Sequence, residues 1–492
     1  MEKQPVVPKG ILLPFALLCT LFFAWAVPNN LTDTMLATFK RIMSLSDSKT
    51  AWIQIACYFC GYGCFALPGA LFIKRFTYKS GVLLGLGLYA GGAILIYPVG
   101  LAAGISLDLC YMLYLVCLVI LFAGLSVLET STNSYVCAIG SEHTATQRLN
   151  FAQSFNPFGA ITGVVVSTIF VLSQLNTKTA EDRALLAPEE LTKIQTGEIN
   201  AVTAAYLVMG LLMVCLFLAI FFTKMPKLKE DDKSLDLIGT FGRLFRNVNY
   251  ISGVAAQFCY VGAQIAVWSY IIQYTMAQLD FDAVVKSLGP DATKAQIIGA
   301  LRNVEPCAAT FYNVCEWLRL DFVLPKTAEH AGGTYYIMSL VLFAAARFAC
   351  TGLMNFFKPR NLLAALSVLA FVCCMITIYN VELFGGILGK NASFIGVYAL
   401  MIISACMSLM FPTIYGLGIA GLKDDTKIGG SGMVMAIAGA AVLTQIQGML
   451  SDWLGGDIKM AYWVPAIAFV LIAIYGLVIC RIYEKTHDVD MG

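Results

Sequence analysis

Twelve apolar runs, each long enough to cross a bilayer as a helix, follow one another along this 492-residue chain. They fall near 11–37, 50–73, 80–98, 108–139, 149–174, 200–223, 248–278, 332–356, 361–380, 391–421, 428–451 and 460–483. A helical crossing takes about 20 apolar residues. A transmembrane β-barrel would show short alternating segments instead, so the expected fold is an all-α integral membrane protein with twelve transmembrane helices. Composition excludes the soluble alternative: 59% of residues are apolar and 13% charged, against about 45–50% and 25% in soluble domains. Basic and acidic residues number 32 and 30, which leaves no cationic excess for neutralising nucleic-acid phosphates. The N-terminal run follows Lys3 and Lys9 like a signal peptide. It is too long, lacks an A-x-A site and is followed by further spans, so it reads as the first helix.

The loops set an orientation. With both termini in the cytoplasm, the inner segments carry 18 Lys and Arg and the outer loops 13. Long loops count little in the positive-inside rule, and without residues 279–331 the ratio is 18 to 8. This predicts a multi-pass protein of the inner (plasma) membrane. The most highly charged linker, 224–247, divides the chain into an N-terminal six-helix bundle (1–223) and a C-terminal one (248–492) with a long outer loop, 279–331. Residues 126–140 ("SVLETSTNSYVCAIG") and 408–422 ("SLMFPTIYGLGIAGL") occupy matching spans, and both fifth spans centre on Gly-Ala, Gly159-Ala160 and Gly439-Ala440. Such a duplication predicts two bundles related by a pseudo-two-fold axis along the membrane normal, with a ligand held near mid-membrane.

Three charges lie well inside the spans: Asp33, Glu129 and Arg347. A charge at a helix centre costs at least about 2.5–3.5 kcal/mol on insertion scales, and such residues usually mark a substrate or proton path. For the two carboxylates the functional reading leads over a structural hydrogen bond; for Arg347 the structural reading leads. Pro28 removes a backbone donor and frees the Ala24 carbonyl. Asn29 and Asn30 lie four and three residues from Asp33, on its face of the helix. Glu129 and Asn133 share a face on the fourth span, and the fifth supplies Gln153 and Asn156. The second half offers Gln257, Gln264 and Trp268 on span seven and no carboxylate. Amides both donate and accept, as a polyhydroxyl ligand requires; Trp268 either stacks on such a ligand or simply packs. Desolvation disfavours a charged carboxylate, so Asp33 and Glu129 can take up a proton and release it when water arrives. His143, His330 and His487 all lie outside the spans.

No metal-ligand spacing, phosphate loop or nucleophile–base pair appears, which predicts no metal, no cofactor and no enzyme activity, and leaves either an ion gradient as the driving force or passive transport. Most of the 16 cysteines sit in apolar runs, where Cys behaves as a small hydrophobe; the CxxC of Cys57 and Cys60 is among them. Cys307 and Cys315 lie in the outer loop, where a disulfide is open to them.

Several stretches together resemble a known family: residues 14–19 ("PFALLC"), 29–33, 128–130, 148–159 ("RLNFAQSFNPFG"), 256–270 ("AQFCYVGAQIAVWSY") and 412–427 ("PTIYGLGIAGLKDDTK"). They resemble the fucose–galactose–hexose proton symporters of the major facilitator superfamily, and its fucose-type members most. The resemblance implies the major-facilitator fold, alternating access and sugar–proton symport. It implies a proton-carrying role for Asp33, coupling of protonation to sugar by Glu129, and a cavity containing Asn30, Gln153 and Asn156. Glu129 and Gln264 are the fucose-type residues at positions where glucose/galactose relatives carry Gln and Glu. The implied partners are a monosaccharide (L-fucose or a similar deoxy-sugar or pentose), protons and the bilayer, with a monomer as the transporting unit. Residues 279–331 are longer than the family's usual connection, Phe411 stands in place of a Tyr, and the basic 69–81 loop lacks the family's usual Asp.

Overall fold

The computed structural model describes residues 10–42, 55–101, 105–166, 186–226, 237–289, 293–304, 306–320, 328–389 and 392–487, with positions 6, 7, 53 and 324 besides. Every regular element among them is helical. In chain order these are α1 (Leu12–Ile42), a π-helical turn (Ile55–Gly63) running into α2 (Cys64–Arg75), α3 (Tyr78–Leu101), α4 (Leu107–Ala138), α5 (Ala145–Gln153), α6 (Asn156–Val166), α7 (Pro188–Phe222) and α8 (Leu237–Arg246). Next come α9 (Val248–Leu279), the short α10 (Phe281–Ser287), α11 (Lys294–Arg302) and α12 (Pro306–Trp317), then α13 (Ala328–Leu353), α14 (Pro359–Leu388) and α15 (Ala392–Met407). The chain closes with α16 (Met410–Ile419), α17 (Thr426–Met435), α18 (Gly439–Trp453), α19 (Trp463–Ile474), a second π turn (Tyr475–Ile479) and α20 (Cys480–His487).

Among the described residues, ten helices are long and apolar enough to cross a membrane. They match the predicted spans other than the first and fifth, of which the first shows a shorter apolar helix, Leu12–Val27. The fifth span is broken between α5 and α6, and residues 167–174 lie outside the described set. Pro157 causes the break, since it has no N–H for the Gln153 carbonyl and clashes there. Pro412 does the same to span ten, dividing α15 from α16 at Ser408 and Leu409. The Ser408 carbonyl that Pro412 cannot serve instead accepts from Nε of Arg347. Arg347 is buried, and its guanidinium lies 4.6 Å from the Phe343 ring centroid. This intramembrane cation therefore has a structural task at a helix break.

The chain forms two compact units. The first comprises Met1–Ala255, Pro412–Ala438 and Ile482–Gly492; the second comprises Ala256–Phe411 and Gly439–Arg481. Compactness thus groups residues differently from the duplication read in the sequence. In the first unit, α3 and α4 pack so closely that a Cβ on Gly85 would lie 2.6 Å from the Leu128 nitrogen. Small residues of this kind let helix backbones approach in a lipid environment, where dispersion replaces the hydrophobic effect as the driving force. One device recurs in both units: a Cβ on Gly159 would strike the carbonyl oxygen of Phe23, and one on Gly439 would strike that of Phe258. The repeated Gly-Ala pairs are thus the points where the fifth spans of the sequence halves press on their neighbours α1 and α9.

Residues 412–438 are held in the first unit by polar contacts. Asn150 donates to Oγ1 of Thr413 at 3.1 Å, and Ser134 and Tyr415 share a hydroxyl pair at 2.9 Å. The ammonium of Lys427 lies 5.1 Å from the Tyr78 ring centroid, and that ring stacks on Tyr135 at 5.1 Å.

The predicted outer loop is largely helical in its described part. Thr293 and Gln296 form a capping box at the start of α11. Arg302 pairs with Glu316 at 2.8 Å. Tyr312 ties α12 to α13 through Thr334 at 2.6 Å. Cys307 and Cys315 are free thiols, one exposed and one buried. They lie eight residues apart on α12, a rise of about 12 Å that exceeds the ~7 Å limit for a disulfide. The helix that neither residue's spacing announced rules out the bond.

Candidate functional site

Among the described residues of the first unit, the centre of α4 is a continuous buried polar stretch. Residues 129 to 134 are all buried, and the carboxylate-bearing Glu129 is 7% exposed. Two groups face that carboxylate, the Tyr62 hydroxyl and Asn133 one turn along the helix. Gln153, at the end of α5, donates from Nε2 to Oδ1 of Asn133 at 3.1 Å. Glu129 and Asn133 share a helix face, as their spacing predicts, and the structure brings Gln153 from α5 onto Asn133.

Tyr62 is the member that sequence reasoning missed. It sits in the π-helical turn Ile55–Gly63, a local widening that often accompanies functional sites. Two features fix it. The Ser126 hydroxyl donates to the Tyr62 carbonyl at 3.0 Å, and a Cβ at Gly61 would collide with that of Phe122, so the turn lies directly on α4. The signal in the sequence was a tyrosine between two glycines inside an apolar run.

Two buried hydroxyls of this stretch have no hydrogen-bond partner among the described residues, those of Thr130 and Thr132. Buried polar groups are paired in the great majority of cases. An unpaired set beside a carboxylate is suited to a ligand rich in hydroxyls.

The other predicted residues of this unit are arranged around α1. Asn156 donates to the Phe22 carbonyl at 3.3 Å, and Asn30 to the Ala26 carbonyl at 2.9 Å. Both are half-buried. Asn29 and Asp33 belong to α1, and their side chains lie outside the described residues. Arg148, counted in the sequence as a loop charge, is fully buried. It donates to the carbonyls of Val136 at 2.7 Å, Cys137 at 2.6 Å and Ser141 at 3.3 Å, and to the Thr144 hydroxyl at 3.0 Å. A fork of five N–H donors thus caps the end of α4, where unsatisfied carbonyls and the negative end of the helix dipole favour a cation.

In the second unit, Gln257 is fully buried, and neither of its amide atoms has a partner among the described residues. Gln264, seven residues on, is half-buried. Trp268 donates from its indole to the Ser404 hydroxyl at 3.2 Å. Its ring meets Phe343 at 5.2 Å and Tyr336 at 6.2 Å, both edge to face. Packing thus occupies much of this indole. Gln447 on α18 matches Gln257, fully buried with both amide atoms unpartnered among the described residues. Sequence reasoning passed over it, because one amide near the end of a span resembles an interfacial residue.

The described site is thus a buried carboxylate with amide and hydroxyl groups around it, a set of hydrogen-bond donors and acceptors. An L-fucose-proton symporter of Haemophilus influenzae is 34% identical over 96% of this chain and 97% of its own length. The protein of that name in Escherichia coli K12 is 34% identical over 96% of this chain and 95% of its own. A crystal structure of the E. coli fucose:proton symporter superposes with a TM-score of 0.75 at 33% identity, covering 95% of this chain and 98% of that one. The family description "Major Facilitator Superfamily" matches residues 14–422. With that match spanning most of its length, the chain belongs to the major facilitator superfamily.

Proposed function

We propose that this protein is a secondary active transporter that carries a monosaccharide together with protons across the inner membrane, by alternating access. The observation that carries the reading is the enclosed group on α4: a buried carboxylate, Glu129, faced by Tyr62 and Asn133, with Gln153 beside it. A carboxylate there accepts from sugar hydroxyls, and the amides donate and accept in turn. Protonation removes the charge and changes what the group can accept, so one residue links proton and sugar. The symporters that this chain resembles at 34% identity carry L-fucose in their names, and L-fucose is the substrate assigned here.

In this reading Asp33 carries the proton. Asn29, Asn30, Asn133, Gln153 and Asn156 contact sugar from the first half of the sequence, and Gln257, Gln264 and Trp268 from the second. The halves divide at 224–247, twelve helices cross the membrane, both termini are cytoplasmic, and a monomer in the bilayer is the working unit. The proton gradient supplies the energy and no cofactor takes part.

Glu129→Gln tests the assignment. The substitution keeps the shape and removes the charge, and a hydrogen bond to a charged group is worth about 1.5–3 kcal/mol. Binding of L-fucose to the purified variant should weaken by about tenfold or more, and the affinity should lose its dependence on pH. Unchanged affinity at two pH values would remove Glu129 from the sugar site.

A further inference from the structure

The segment that reads in sequence as a charged linker contains a helix with a use of its own. In α8, Ile238, Phe241 and Phe245 recur at i, i+3 and i+7, which is one face of a helix. Ile238 is 89% exposed, Phe245 71% and Val248 66%, and Phe241 and Phe245 stack at 6.3 Å. Beyond the break at Asn247, the first turn of α9 exposes Val248 and Ile251, so apolar surface continues at the start of a membrane-spanning helix. The opposite face is fixed to the protein. Thr240 and Leu244 are buried there, and the Thr240 hydroxyl donates to Asp425 at 3.0 Å. Arg243 grips both oxygens of the same carboxylate, at 2.7 and 2.8 Å. Asn247 then caps α9 by accepting from the Tyr250 N–H at 3.0 Å. The exposed Arg246 ends the helix.

We propose that α8 lies in the cytoplasmic membrane interface and binds anionic phospholipid, its apolar stripe seated at the acyl boundary and Arg246 on a lipid phosphate. The inference rests on the transporter reading above, which puts residues 224–247 in the cytoplasm. A short helix with an apolar face and basic residues beside it lies in the plane of the interface, and the cytoplasmic leaflet is the anionic one. The continuity with α9 selects lipid over a second protein as occupant. By holding α8, the lipid steadies the Arg243–Asp425 pair at the entry to α17.

The test uses the full chain in nanodiscs of phosphatidylcholine with and without phosphatidylglycerol, with p-benzoylphenylalanine in place of Phe245. Illumination should give a phospholipid adduct enriched in phosphatidylglycerol above its share of the bilayer. Arg246→Gln should lower that enrichment about fivefold, the effect of one cation near the surface. An adduct to a second copy of the protein, no adduct, or phosphatidylglycerol captured only in proportion to its share would overturn the proposal. L-fucose binding is measured in the same discs. Enriched adduct without sugar binding would sink the transporter reading and leave the lipid site standing.

Discussion

Asp33→Asn is expected to abolish accumulation of sugar against its gradient, while exchange of labelled for unlabelled sugar continues. The substitution keeps the size of the side chain and removes its proton. Asp33 and Glu129 are the two carboxylates well inside the spans, and the histidines all lie outside them, so the proton has few carriers to choose from. Of the two, Glu129 is faced by Tyr62 and by Asn133, which Gln153 holds in turn, a setting that suits a group answering to the ligand. In the proposed reading, Asp33, on α1 five residues beyond Pro28, is therefore the group assigned to the proton. Intramembrane carboxylates of this kind commonly act as proton relays. Reconstituted protein under an imposed pH gradient gives the accumulation ratio, and counterflow gives the exchange. Accumulation at the parent level would shift the proton to Glu129.

Arg148→Ala is expected to have the largest effect on folding. Removing the guanidinium strands the carbonyls of Val136, Cys137 and Ser141 at the buried end of α4. Leaving a single buried polar group unsatisfied costs about 1–3 kcal/mol, and here several lose their partner at once. Gly140 is adapted to the same arrangement, since a Cβ there would lie 2.5 Å from Nη1 of Arg148. Arg148→Lys should recover only part of the loss, because an ammonium is a point charge without the planar fork. The readout is the melting temperature and monodisperse yield in detergent. Parent-like values for the Ala variant would mean that the α4 terminus is satisfied without the fork.

Hydropathy made the spans legible, because lipid imposes one rule on every crossing helix. Glu129 was legible for the same reason: a charge in an apolar run stands out. Tyr62 was not, since tyrosine is common in apolar segments and its importance comes from a π-helical turn that no residue pattern announces. Arg148 was visible as a charge but not as a cap, because its partners are backbone carbonyls that the sequence does not display. The span breaks could be read from Pro157 and Pro412, while the cation that repairs one of them, Arg347, comes from a different helix. In the linker, the charges of residues 224–233 mask the regular stripe of Ile238, Phe241 and Phe245. The bond considered between Cys307 and Cys315 failed because spacing says nothing of the helix between them. The two buried glutamines show the remaining limit. Gln257 stood on a helix already of interest, whereas Gln447 becomes notable only once its burial is known.

The central claim is that sugar and protons move together. Its most direct measurement is the pH of a weakly buffered suspension of proteoliposomes when L-fucose is added outside. Coupled entry predicts that the external medium turns alkaline on sugar addition, and that the change disappears with Asp33→Asn or a protonophore. Uptake of labelled L-fucose without any change in external pH would contradict symport and leave a passive carrier.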